Sequence, residues 1–228
     1  MKAILRAAAL TRGIPPLEAA ALRLDEVPVG ERRLWLGALE ARNLCLRLNA
    51  FSHHRGIVSD KLLFGGLLSG LGYPVPRVHA IFGRKTLGVG FRSLATREEL
   101  ADFLAKEAPM PLFGKPLAGE RSEDAIRILD RAGDGLLRLP GGEKAAAPAL
   151  ARQIARAHSR WGFLFQEALA QHPALVETVG DTVACLRLVT LQDAEGRAEV
   201  IQALWKVPRA GAVADNLWRG GLLAALDG

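Results

Sequence analysis

Apolar positions follow a helical period in the first half of this chain and an alternating one in much of the second. From Glu31, apolar residues recur at Leu34, Ala38, Ala41, Cys45 and Leu48, one face of an amphipathic helix, with Arg33, Arg42 and Arg47 mostly off the stripe. Pro15 and Pro16 stand where an earlier helix would begin, and Val27-Pro28-Val29-Gly30 breaks it. A further helix is predicted from Ser59 as N-cap to Gly72 just past its end, followed by extended Tyr73-Pro74-Val75-Pro76 and a strand at Val78–Phe82. Gly83-Arg84-Lys85 then reads as a turn into a strand at Leu87–Phe91. Thr96-Arg97-Glu98-Glu99 has capping-box spacing and opens a helix to about Lys106, which Pro109 and Pro111 end.

Past Pro111 the pattern predicts strands at Leu112–Lys115, Ala125–Leu129, Leu136–Leu139, Gly162–Leu169, Val183–Leu191, Ala198–Val207 and Leu222–Leu226. Gly133-Asp134-Gly135 and Asp193-Ala194-Glu195-Gly196 supply hairpin signals, and a helix near Ala147–Arg160 carries Pro148 in its first turn. A mostly antiparallel sheet with few helices is an α+β architecture. The expected organisation is an N-terminal helical segment (1–50), a helix plus a small αβ lobe (51–110), and a sheet-rich region (111–228). The chain ends at Asp227-Gly228, a dipeptide that normally joins two strands, so a further strand is expected beyond it.

Composition narrows the class. The 228 residues are 50% hydrophobic, enough for a sizeable core. The longest charge-free run, Leu62–Pro76, is too short to span a bilayer, and Arg6 and Arg12 interrupt any signal-peptide core, which points to a cytoplasmic protein. A net charge of +6 raises the question of nucleic acid. Residues 1–110 hold 16 Lys and Arg against 10 Asp and Glu, whereas residues 111–228 hold 14 of each. With no basic arm and only 6% aromatics, the balance fits a small anionic ligand at least as well and counts against nucleic acid.

Familiar catalytic motifs are missing: no Gly-x-Ser-x-Gly, no His-Glu-x-x-His and no Walker lysine loop. Gly65, Gly66 and Gly70 have phosphate-loop spacing without the lysine and suit close helix packing. Cys45 and Cys185 lie far apart, without Cys-x-x-Cys or nearby His spacing, and read as buried reduced thiols. His53, His54, His79, His158 and His172 share no spacing and suit caps or surface. Trp161, Trp205 and Trp218 suit core or pocket walls.

A resemblance carries the rest. Asp60-Lys61 opens a helix leaving through Gly72-Tyr73-Pro74-Val75-Pro76, Phe113-Gly114-Lys115-Pro116 follows, and Gln166-Glu167-Ala168-Leu169-Ala170-Gln171-His172-Pro173 comes later. Leu186-Arg187-Leu188-Val189-Thr190 and Asp215-Asn216-Leu217-Trp218-Arg219-Gly220-Gly221 complete the series. From about Leu48 onward this order resembles the sugar-transfer associated ATP-grasp proteins, a group related to α-L-glutamate ligases.

The resemblance implies an ATP-grasp-like fold, incomplete at its C-terminal end, and an enzyme that uses ATP and Mg²⁺ to activate a carboxylate as an acyl phosphate for an amine. A role in cell-surface polysaccharide metabolism follows from the family name alone. It implies that Lys61 and Lys115 bind the α- and β-phosphates and that Gln166 or Glu167, with the Leu169 backbone, holds the adenine or ribose. Arg187, costly in an apolar strand unless paired or facing a site, would clamp the acyl phosphate or the acceptor carboxylate, though an alternating strand could also turn it to solvent. Asn216 and Arg219-Gly220-Gly221 would approach the phosphates. Two departures stand out. The loop after Lys115, Pro116-Leu117-Ala118-Gly119-Glu120-Arg121-Ser122, has one glycine and an acidic residue, and no residue in 1–228 matches the family's magnesium ligands, which would lie beyond residue 228. The alternative is therefore a degenerate, non-catalytic nucleotide-binding or scaffold module.

Overall fold

The computed structural model describes residues 14–49, 52–83, 90–119, 123–215 and 220–226. The chain divides into two compact units, residues 1–56 and 57–228. In the first, helix α1 (Pro16–Ala21) starts from Pro15 as N-cap, with Pro16 at its first position. Ile14, Ala19 and Leu24 form its small core. Helix α2 (Ala38–Leu48) begins later than the pattern predicts, because Arg32–Leu34 form a separate 3₁₀ turn and Trp35 is extended. None of the residues of α2 is buried, so the stripe through Leu34, Ala38, Cys45 and Leu48 is not a core face in this unit. Helix α3 (Ser52–Ser59) follows.

In the second unit, helix α4 (Lys61–Gly70) is capped by Asp60 rather than Ser59: the Asp60 carboxylate accepts from the backbone N–H groups of Leu62 and Leu63. Gly72 takes φ +83° just past its end. A Cβ at Gly65, Gly66 or Gly70 would meet nothing within 4 Å, so these glycines do not mark close helix packing.

Strands β1 (Val78–Phe82), β2 (Arg92–Leu94), β3 (Leu112–Pro116), β4 (Ile126–Ile128) and β8 (Phe163–Glu167) make one five-stranded sheet, ordered β2-β1-β8-β3-β4. Strand β2 lies later than Leu87–Phe91 and pairs parallel with β1, so the segment between them is not a hairpin; residues 84–89 lie outside the described residues. The other pairings are antiparallel.

Helix α5 (Arg97–Asp102) starts with the expected capping box, Thr96 and Glu99 each bonding the other's backbone, and runs into one π-helical turn, Phe103–Glu107. Helix α6 (Ala147–His158) buries Ala147, Leu150, Ala151 and Ile154, the i, i+3, i+4, i+7 pattern of a one-sided helix. Both helices cover one face of the five-stranded sheet, packing Leu100, Leu104, Leu150 and Ile154 against Phe82, Leu112, Phe163 and Phe165.

Strands β5 (Asp130–Arg131), β6 (Leu137–Arg138) and β7 (Lys144–Ala145) form a small antiparallel sheet. Helix α7 (Pro173–Val179) was not foreseen from the pattern; His172 caps it by accepting from the Ala174 N–H. Strands β9 (Cys185–Gln192), β10 (Ala198–Val207) and β11 (Leu222–Leu226) form a third antiparallel sheet, ordered β11-β10-β9, with the Asp193–Gly196 turn between the first two. Helices and three mostly antiparallel sheets together make an α+β arrangement. Trp161 is 60% exposed beneath the Arg160 guanidinium, neither core nor pocket wall. Cys45 and Cys185 are free, as expected, but neither is a core residue: both residues are exposed, although the Cys185 thiol itself is turned onto Asp215 and partly covered there. Among the described residues no helix is long and apolar enough to cross a membrane.

Candidate functional site

Strand alternation decides which side chains leave the core. In β3, Leu112, Gly114 and Pro116 are buried, which puts Phe113 and Lys115 on the opposite face. In β8, Phe163 and Phe165 join the helix-covered core while Leu164 and Gln166 face away. In β4, Ile126 and Ile128 pack into that core and Arg127 faces away. Registry pairs Phe113 with Arg127 on one side and Gln166 on the other, so the three lie abreast. They line a cavity of about 390 Å³ with Lys115, Glu167 and Leu169. Thr182, Val183, Cys185 and Asp215, at and before the root of the third sheet, close the other wall.

Lys115 sits in this cavity with its ammonium pushed below the ordinary lysine value, by burial first and by the neighbouring Lys61 charge second. The same Lys61 ammonium donates to the carbonyls of Gly119 at 2.8 Å and Leu117 at 3.4 Å. Lys61 therefore grips the backbone just after β3 while its charge is felt at Lys115. Nothing requires the two to converge except this fold: they are far apart in sequence and neither motif fixes the other.

At the far end of β8 the backbone doubles its contacts. The Glu167 N–H donates to the Arg77 carbonyl, and the Glu167 carboxylate accepts from the Arg77 N–H at 3.0 Å. The Glu167 side chain is thus tied to the chain leading into β1. Its neighbour Gln166 is only 7% exposed on the cavity side. His79 is held below its usual pKa, by burial first and Arg77 second, against the opposing charge of Glu167.

The opposite wall carries a coupled trio. Asp215 Oδ1 takes the Lys206 ammonium at 3.0 Å, and its Oδ2 accepts the Cys185 thiol. Cys185 and Lys206 are cross-strand partners, which is why one carboxylate reaches both. Burial, followed by the Asp215 hydrogen bond, pushes the Cys185 thiol up to about 11, so it remains a thiol at neutral pH. The Thr182 hydroxyl donates to the Ala212 carbonyl at 2.9 Å and ties the segment before β9 to the one after β10.

Of the residues expected at a site, Lys115, Gln166, Glu167 and Leu169 line the cavity together. Lys61 reaches it electrostatically through Lys115. Arg187 is exposed and lies two residues along β9 from Cys185, on the same strand face, close enough for its charge to act on that thiol. On an exposed strand its guanidinium carries little desolvation cost, so that argument for a site role loses its force. Asn216 and Arg219 lie outside the described residues, as does Glu120. Gly220 takes φ +85° with the Arg209 side chain against it, and Gly221 is buried.

Arg127, Cys185, Lys206 and Asp215 were missed as a group. Arg127 had a readable signal, a lone arginine between Ile126 and Ile128, of the kind that singled out Arg187. Among the described residues no group of three or more His, Cys, Asp or Glu side chains is positioned to hold a metal ion. The two carboxylates at the cavity are already engaged, Asp215 by Lys206 and Cys185 and Glu167 by the Arg77 N–H, so they do not fit a magnesium site as they stand. The chain matches no protein-family model and no curated protein.

Proposed function

We propose that this chain is an ATP-grasp ligase homologue that holds a nucleotide in the cavity between the five-stranded sheet and the root of the third sheet. The observation that carries this reading is the nearness of two lysines from distant segments, felt as a lowered Lys115 pKa, at a cavity that Gln166, Glu167 and Leu169 also line. The resemblance expects this pairing, and periodicity alone does not. The cavity volume is at the low end for small-molecule sites, the size of a nucleoside rather than a whole triphosphate.

In this reading the base lies against Phe113 and the end of β8, with Gln166 offering amide donors and an acceptor to its edge. The Lys115 ammonium meets the phosphates. Lys61 acts on them through the loop, whose Leu117 and Gly119 carbonyls its ammonium holds. In the reaction of such ligases a substrate carboxylate oxygen attacks the γ-phosphorus and ADP leaves. An amine then attacks the acyl carbon and phosphate leaves. The protein's share is positioning and charge neutralisation. Arg187, two residues along β9 from the cavity-lining Cys185, is the candidate to hold the carboxylate or its acyl phosphate. The carboxylates at the cavity are engaged and do not fit magnesium as they stand.

Those engaged carboxylates favour a second reading, a nucleotide-binding or scaffold module without turnover. Calorimetric titration with Mg-ATP, alongside phosphate-release assays with mixed carboxylate and amine substrates, separates the two. Binding lost in Lys115→Ala together with phosphate release supports the ligase. The same binding without release supports the module, and no binding removes both.

A further inference from the structure

Arg127 has no counterpart in any motif of the resemblance, yet it occupies the middle of the cavity wall. Its Nε is buried without a hydrogen-bond partner among the described residues, and its guanidinium makes one long contact, Nη1 to the Asp181 carbonyl at 3.4 Å. A buried donor without an acceptor costs about 1–3 kcal/mol, which a fold tolerates where something else supplies the acceptor. Arg127 stands directly across from Phe113 in the sheet register, and Lys115 is two residues further along the same face of β3. Diagonal neighbours of this kind lie about 7–8 Å apart, a span that one phosphate or carboxylate group can bridge between two long side chains.

The charges nearby do not cancel these two cations. No carboxylate among the described residues forms an ion pair with Lys115 or Arg127. Asp215 is taken by Lys206 at 3.0 Å, and the Glu167 carboxylate accepts from the Arg77 N–H. Lys115 and Arg127 thus put two cations on the wall that also carries Glu167, whose carboxylate is turned to the Arg77 backbone, while the acid of the other wall, Asp215, is balanced by Lys206.

We infer that Arg127 and Lys115 form a two-cation anchor for a phosphate or diphosphate group carrying at least two negative charges, and that Arg127 selects for this group. The fork of an arginine suits it to two acceptor oxygens at once. The inference rests on the reading of this cavity as the ligand site, but not on the ligand being a nucleotide.

The test is calorimetric titration of the full chain with sodium pyrophosphate, adenosine, AMP, ADP and ATP, at low and moderate salt. Wild type is compared with Arg127→Gln, Arg127→Lys and, as a surface control on α6, Arg152→Gln. Wild type and Arg152→Gln should bind pyrophosphate alike. Arg127→Gln should lose about tenfold, the size of one charge-assisted hydrogen bond, with a shallower salt dependence. Arg127→Lys should recover part of that loss, and it carries the test if the glutamine variant does not fold. Unchanged pyrophosphate affinity in Arg127→Gln, or failure of wild type to bind pyrophosphate at all, overturns the inference. An equal loss for uncharged adenosine also overturns it, because that marks a merely structural role. Arg127-dependent pyrophosphate binding without binding of any nucleotide keeps the inference and removes the nucleotide reading. Adenosine and ATP binding equally, indifferent to Arg127, does the reverse.

Discussion

Lys206 and Asp215 meet at 3.0 Å, each side chain 15% exposed, at the root of the third sheet where it borders the cavity. The pair is partly desolvated, and the free oxygen of Asp215 is used by the Cys185 thiol. Such a pair is costly to break from one side, because the remaining charge keeps its desolvation without its partner. Asp215→Asn should therefore destabilise the second unit by about 1–3 kcal/mol, read as a lower midpoint in urea at unchanged slope. A midpoint equal to wild type would mean that the pair is no more than a surface contact.

The same substitution changes the thiol. Cys185 is held up to about 11 by burial first and by Asp215 next. In Asp215→Asn the burial contribution stays and the carboxylate's goes, so the thiol pKa should fall part of the way toward its ordinary value. The pH profile of iodoacetamide alkylation reads this directly in a Cys45→Ser background, which removes the other exposed thiol. An unmoved profile would place the whole shift in burial.

A thiol whose pKa is raised in the folded state is favoured there in its neutral form. Its contribution to stability is fully present below the unfolded value of 9.0 and is lost as pH rises through about 11. Between those pH values wild type should lose more stability than Cys185→Ser, whose hydroxyl does not titrate there. Chemical denaturation at a series of alkaline pH values makes the comparison.

Lys115 works in the opposite sense. Its folded pKa lies below the ordinary lysine value, so at neutral pH the folded chain carries a charge it would sooner lose, and that penalty eases as pH rises past the folded pKa. Lys115→Met keeps the length of the side chain and removes the charge. It should raise the melting temperature while abolishing binding of pyrophosphate and ATP. A variant less stable than wild type would show that the ammonium has a favourable partner in the fold.

What the sequence made readable divides along physical lines. Local rules worked: the Thr96–Glu99 capping box, strand β1 at Val78–Phe82, and strands β10 and β11, where alternation and turn residues act over a few positions. Helix α7 could have been read from His172-Pro173, a capping residue before a proline at the first helical position, but its Pro173–Val179 span is too short for periodicity to announce it. The parallel pairing of β2 with β1 was hidden because strand direction depends on where the connection runs. Lys115 and Gln166 could be proposed for one site only through the resemblance; the β3–β8 register then puts both on one face, while Phe163, Phe165 and Gly114 turn inward. The Asp215–Lys206–Cys185 trio could not, since its members meet only through the β9–β10 register and the path of the chain after β10. Exposure misled twice, each time by placing an open element in a core. The stripe on α2 lies open, and Arg187 stands on a strand too exposed for its charge to be costly.

Gly114 gives the sharpest test of the sheet that builds the cavity. It is buried in β3 between Ile126 of β4 and Phe165 of β8, its register partners. A Cβ built there would lie 2.7 Å from the Phe163 ring and 2.9 Å from Ile126 Cγ1, both closer than real contacts allow. Phe163 cannot yield easily, since its ring is fully buried against Phe165 and His158. Gly114→Ala should therefore force β3 and β8 apart and cost about 1–3 kcal/mol, the usual penalty of overpacking. Because Lys115 is the next residue, the same shift should weaken ligand binding beyond what the stability loss explains. Phe163→Leu in the alanine background removes the ring edge that clashes and should restore part of both. If alanine at 114 is tolerated at wild-type stability, the tight three-strand crossing behind Lys115 is wrong, and the alignment of Phe113, Arg127 and Gln166 across the cavity wall goes with it.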